Sequence, residues 1–259
     1  MELNADNYFS PQANREFWSV SQFKAFNRCE ASGLAQVEGR FEQPLTDSLL
    51  IGKYVDAWFS DELPQFMGEY GELITKKDGS LKAQYLHADE MIEVVESDPL
   101  MMEYLRGEYQ TIMTAELFGL PWKAKLDVLI RDERIVDFKT VKDFEDVWDP
   151  TYGRRSWVEY WGYDIQGAVY QKIVENETGQ KLPFYLEAVT KEKTPDHAII
   201  QIPQHILNAA LAMVEAKIER FDLIKTGEVE PIRCERCDYC KQTKQLTAPT
   251  VYEIKEAQD

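Results

Sequence analysis

The sequence predicts an α/β domain: three consecutive strands in mid-chain, two more beyond them, and helices before, between and after. Three observations carry this. Residues 109–140 alternate polar and apolar side chains with period two. The segments on either side place apolar residues three and four apart, as one face of a helix requires. No internal repeat and no low-complexity linker interrupts the 259 residues, so a single domain is expected over 1–259.

Taken in order, Ser21 is placed to cap a helix through FKAFNRCEA, where Phe23, Phe26 and Cys29 share a face. A second helix covers Ser48 to Phe59. The chain turns at Asp78-Gly79. HADEMIEVVES and PLMMEYL then form two helices, the second with Pro99 in its first turn. YQTIMTAEL, WKAKLDVLI and RIVDFKT are the three strands, broken at Gly119-Leu120-Pro121 and at Asp132-Glu133. A polar, aromatic loop from Val141 to about Arg155 leads into one helix, WVEYWGYDIQGAVYQKIVE. Strands near PFYLEAVTK and HAIIQI follow, and a long helix ends at Gly227 in a C-cap position.

Net charge is −17. That argues against a protein that coats polyanions, because such binding rests on Lys and Arg neutralising phosphates. The charge is uneven, however: the window from Pro121 to Tyr160 carries −1 and the rest of the chain −16. A polyanion meets least repulsion there. No run approaches the ~18 apolar residues of a membrane span. The opening MELNADNYFS has neither the basic start nor the apolar stretch of a secretory signal, so a cytoplasmic location is expected.

The least repulsive window contains IVDFKT, Ile135 to Thr140. On a strand, Val136 and Phe138 bury on one face while Asp137 and Lys139 emerge together on the other. Such charges are a solvated ion pair or part of an active site. Asp127 lies in the preceding strand, and a hairpin through Asp132-Glu133 brings it beside Asp137. Two converging carboxylates repel unless a cation lies between them. Oxygen ligands with few carboxylates suit Mg²⁺, or Mn²⁺ in its place. Lys139 can then hold a metal-bound water, which makes the set a candidate for metal-assisted phosphodiester hydrolysis.

LDVLIRDERIVDFKT resembles the PD-(D/E)XK nucleases, in particular their RecB-like and phage exonuclease branch. The resemblance implies a restriction-endonuclease-like core, a central mixed sheet flanked by helices, at about residues 107–201. It extends to the helix YDIQGAVY, where Gln166 and Tyr170 match a Gln-x-x-x-Tyr signature beside the catalytic strands. Tyr163 shares their helix face. In IGKYVDAWF the family's Gly-x-x-x-His is replaced by Gly52 and Asp56, so Asp56 stands where the family has an extra metal ligand. Glu116 is a further candidate ligand. Arg154 and Arg155, just before the Gln-x-x-x-Tyr helix, are candidates for holding phosphates. His87, His197 and His205 show no metal-ligand spacing.

Of four cysteines, Cys234, Cys237 and Cys240 stand in RCERCDYCK, and Cys29 is far upstream. C-x₂-C-x₂-C is the spacing by which ferredoxins bind three corners of a [4Fe–4S] cluster. Four thiolates also suit a structural Zn²⁺, but the C-x₂-C-x₂-C run would crowd a single tetrahedral ion, which favours the cluster. Several RecB-like nucleases carry one cysteine before the core and three after it, holding a cluster that ties the two ends together. The resemblance thus implies an Fe–S staple, with Zn²⁺ as the alternative. It also implies a free-standing Mg²⁺-dependent DNA exonuclease of phage or prophage type, working in recombination or repair beside a single-strand annealing protein. Self-association is left open. The rival readings are a non-catalytic DNA- or partner-binding relative and an Fe–S or Zn interaction protein.

Overall fold

A computed structural model describes residues 1–149 and 152–249. The last ten residues of the expected domain, and two within the expected 141–155 loop, lie outside the described residues. Seven helices come first: α1 (Pro11–Glu16), α2 (Val20–Arg28), α3 (Glu30–Val37), α4 (Asp47–Phe59), α5 (Leu63–Ile74), α6 (Ala83–Ser97) and α7 (Pro99–Tyr104). Strands β1 (Glu108–Leu117), β2 (Leu120–Ile130) and β3 (Arg134–Val141) follow, then a small ribbon of β4 (Val147–Asp149) and β5 (Gly153–Arg155). Helices α8 (Trp157–Tyr160) and α9 (Tyr163–Thr178) lead to β6 (Phe184–Thr190) and β7 (His197–Gln201). Helices α10 (Gln204–Lys225) and α11 (Asp238–Gln242) are the last elements among the described residues.

The five main strands form one mixed sheet in the order β1-β2-β3-β6-β7. Only β3 and β6 run parallel, and the crossover that a parallel pair requires is α8 and α9. Helices cover both faces. Trp18, Phe23, Phe26, Trp122, Val169, Phe184 and Phe221 belong to one core, which α2, α9 and α10 close. Leu50, Val55, Met91, Val136 and Phe138 belong to the other, under α4 and α6. The split of β3 between Ile135 on one side and Val136 and Phe138 on the other is the alternation expected of IVDFKT.

Several local expectations are corrected. Ser19, not Ser21, caps α2, accepting a hydrogen bond from the Gln22 N–H. The 141–155 segment pairs with itself as a ribbon rather than remaining a plain loop. WVEYWGYDIQGAVYQKIVE is two helices, since Trp161 and Gly162 break it and Gly162 has φ 66°. Helices α1, α3, α5 and α11 were not anticipated; all but α5 are eight residues or shorter, and α5 carries its own Pro64 in the first turn.

Candidate active site

The β2–β3 hairpin sets the site. Its register pairs Val128 with Val136, and the ladder ends there, so Asp127 and Asp137 are the next residues along each strand. The gap left in the ladder is closed by a side chain: the Phe138 N–H donates to Asp127 Oδ2 at 3.1 Å. Alternation along β2 also shifts at this point. Trp122, Ala124, Leu126 and Leu129 face one core, but Val128 faces the other. Opposite Asp127, between the pairs Tyr109–Val128 and Thr111–Leu126, stands Gln110 with φ 51°. Both strands thus depart from regular geometry where the carboxylate emerges, a departure that clusters at functional sites.

Lys139 joins the two acids. Its Nζ lies 2.6 Å from Asp137 Oδ2 and 3.2 Å from Asp127 Oδ2, and it also donates to the Phe138 carbonyl at 3.1 Å. Gln166 Nε2 donates to Asp137 Oδ1 at 2.7 Å. This contact depends on Gly167, because a methyl there would collide with the Phe184 ring on β6. Helix α9 can therefore lie directly on the sheet. Tyr163, Gln166 and Tyr170, all half-buried, line one wall of the cleft, and Tyr170 sits near both aspartates and Tyr8.

Helix α4 reaches β3 by the same device. A Cβ at Gly52 would lie 2.8 Å from Thr140 Oγ1. One turn on, Asp56 comes close enough to Asp127 to feel its charge. Burial first, and Asp127 second, raise the Asp56 carboxyl to about 7. Burial likewise raises Asp137, which is 1% exposed, to about 8, although Lys139 pulls the other way. For Lys139 burial opposes the charge, but Asp127 and Asp137 outweigh it and hold the ammonium above its ordinary range. One lysine among three carboxylates leaves the group short of positive charge. Either a proton or a metal ion can supply it, and a set of hard oxygen donors suits Mg²⁺ or Mn²⁺.

The acids open onto a cleft of about 1210 Å³ lined by Asp56, Asp127, Gln166 and Tyr170 and, elsewhere on its wall, by Cys29 and Cys237. Other expected residues are placed differently. Glu116 is exposed and pairs with Pro121, six positions along β1 from Gln110 and so roughly 20 Å from the aspartates. The structure does not bring it to the site. Arg154 is paired with Asp146 at 3.0 Å on the ribbon, and Arg155 donates to the Glu159 carbonyl; neither lines the cleft. His197 pairs with Asp98 and His87 with Glu90, so both are structural. Tyr8, Lys24, Lys53 and Lys125 line the cleft without having been singled out from the sequence.

The four cysteines do converge. Cys29 lies at the α2–α3 junction, and its Sγ is 3.6 Å from that of Cys240. Cys234 and Cys240 are 3.9 Å apart, and all four sulfurs fall within 4.8 Å of one another. Burial opposes a charge on Cys234, yet backbone N–H groups of Arg236 and Cys237 bring its thiol down to about 6. A tetrahedral ion with Zn–S bonds of about 2.3 Å needs sulfurs about 3.8 Å apart. Thiolates on a four-iron cluster bind four separate irons and stand farther apart. The four sulfurs lie close enough together to hold a metal.

The family described as a PDDEXK-like domain of unknown function (DUF3799) matches residues 19–243. A solved structure from Eubacterium rectale, of a provisionally assigned exonuclease, is 43% identical and superposes with a TM-score of 0.92, covering 97% of both chains. No curated protein matches the chain. Among the described residues no helix is long and apolar enough to cross a membrane.

Proposed function

Because the chain belongs to the PDDEXK-like family DUF3799, we propose that it is a deoxyribonuclease that needs Mg²⁺ or Mn²⁺ and works from DNA ends. The observation that carries the reading is the sharing of Lys139 between Asp127 and Asp137, with Asp56 alongside. Those three carboxylates would hold the cation, which supplies Lewis acidity at a phosphate oxygen and makes a bound water more acidic. Lys139, kept charged by the two aspartates, holds the attacking water in line. Gln166 fixes Asp137 in position through its 2.7 Å hydrogen bond. Tyr170 presents its hydroxyl to the strand in the cleft. Action at ends rather than within the chain is supported by the exonuclease description of the Eubacterium rectale relative. Recombination beside an annealing protein is the corresponding cellular role.

For the cysteines the better reading is one tetrahedral Zn²⁺ in place of a [4Fe–4S] cluster, supported by the 3.6 and 3.9 Å sulfur separations. It joins the two ends of the domain and takes no part in the chemistry. The test of the enzymatic reading is incubation with end-labelled linear duplex and with closed circular DNA, in Mg²⁺, Mn²⁺ or EDTA. Release of label from the linear substrate alone, and only with a divalent ion, is expected. Failure to hydrolyse either substrate would overturn it.

A further inference from the structure

Eight lysine or arginine side chains lie over aromatic rings among the described residues. Five of these cations are also held by a hydrogen bond or an ion pair: Lys123, Lys125, Arg134, Arg155 and Lys225. The other three are Lys24 over Tyr163 at 5.3 Å, Arg28 over Trp161 at 5.8 Å and Lys53 over Tyr70 at 5.1 Å. None of the three makes a direct hydrogen bond or ion pair among the described residues, although Lys24 feels the charges of Asp137 and Asp164. All three, and all three rings, line the cleft that holds Asp56 and Asp127.

A ring face holds a cation in place without consuming its N–H groups. Each of these side chains therefore keeps its donors for an anion. Lys24 and Arg28 are four apart on α2, about 6 Å along the helix axis. That spacing suits successive phosphates of one nucleic-acid strand. Lys53 belongs to a different helix, α4. Trp161 is still 42% exposed and offers stacking area to a base. We infer that Lys24, Arg28 and Lys53 form a subsite for consecutive phosphates of a single DNA strand, leading to the aspartates. The inference rests on the nuclease reading and names the strand that this site takes.

Binding of a short fluorescein-labelled thymidine oligonucleotide, followed by anisotropy over a salt series in EDTA, separates binding from hydrolysis. For a single strand each neutralised phosphate contributes about 0.7 to the slope of log K against log salt. The triple variant Lys24→Gln, Arg28→Gln, Lys53→Gln is expected to lose about 2 from the slope and at least ten-fold in affinity. Arg28 is exposed, so Arg28→Gln alone guards against misfolding and should lose about 0.7. An unchanged slope in folded variants would overturn the subsite, as would tighter wild-type binding to blunt duplex than to the oligonucleotide. If wild-type protein binds with the expected slope but Mg²⁺ elicits no cleavage, the nuclease reading falls and the subsite stands. If it cleaves DNA while the triple variant binds unchanged, the subsite falls and the nuclease reading stands.

Discussion

A carboxylate that is 1% exposed and shares one lysine with a second carboxylate is an electrostatically incomplete group. Removing any member should show at once. Asp137→Ala and Lys139→Ala are each expected to lower the rate of DNA hydrolysis by at least 10²-fold, since developing charge loses several kcal/mol of stabilisation. Wild-type rates in Lys139→Ala protein would reject its assigned role. Gln166→Ala should cost less, on the order of 10–100-fold, because Gln166 acts through Asp137. A second buried acid makes a separate prediction. Glu187 on β6 is 0% exposed, and neither carboxylate oxygen has a hydrogen-bond partner among the described residues. Burial, and then Asp98, raise it from 4.5 to about 9. Between those values the unfolded chain releases a proton that the folded chain keeps. Stability should therefore fall as pH rises through this window, by up to about 1.4 kcal/mol per unit. Glu187→Gln should flatten that fall, raising the melting temperature at pH 8 and leaving it nearly unchanged at pH 4. Equal pH profiles would show that Glu187 is not the titrating group.

At the scale of elements, the site depends on two helices lying closer to the sheet than a side chain would allow. Gly167→Ala should drive α9 off Phe184 at a cost of about 1–3 kcal/mol, and it moves Gln166 as it does so. Thermal melts together with hydrolysis rates check this: activity should drop more than the small unfolded fraction explains, and full activity would show that α9 tolerates the shift. These contacts also explain what could be read in advance. Asp127, Asp137 and Lys139 were legible because a short hairpin dictates their meeting, and Gln166 and Tyr170 because helical spacing places both on one face. Lys24, Arg28 and Lys53 were not, because only tertiary packing turns α2 and α4 toward the same cleft. The α8–α9 break was hidden because Trp157, Trp161, Ile165 and Val169 keep a four-residue apolar spacing across Gly162. Glu116 was misplaced because an alternating strand pattern says which face a residue takes but not how far along the sheet it lies.

At the scale of the whole molecule, a segment before the sheet and one after it meet at the cysteine site and around Glu30. Arg220 pairs with Glu30 at 2.8 Å through two nitrogens, and the Ile232 N–H donates to the same carboxylate at 2.7 Å. Cys29 and Cys240 are separated by 211 residues in sequence. Closing so long a loop through a metal restrains the unfolded chain by on the order of 5 kcal/mol, if chain entropy alone is counted as for a disulfide. In a domain of this size that corresponds to a melting shift on the order of 10 °C. Cys29→Ser and Cys237→Ser are therefore expected to lower the melting temperature by similar amounts and to lose the bound metal. The packing of Phe23 and Phe26 on Phe221, together with the Glu30 contacts, should keep both variants folded at room temperature. Elemental analysis of wild-type protein should find about one zinc per chain, and a strong chelator should reproduce the cysteine variants' melting temperature. Brown protein with about four irons per chain would restore the cluster that the C-x₂-C-x₂-C spacing suggests. Unchanged metal content in Cys29→Ser protein would show instead that Cys234, Cys237 and Cys240 bind the ion without the distant Cys29.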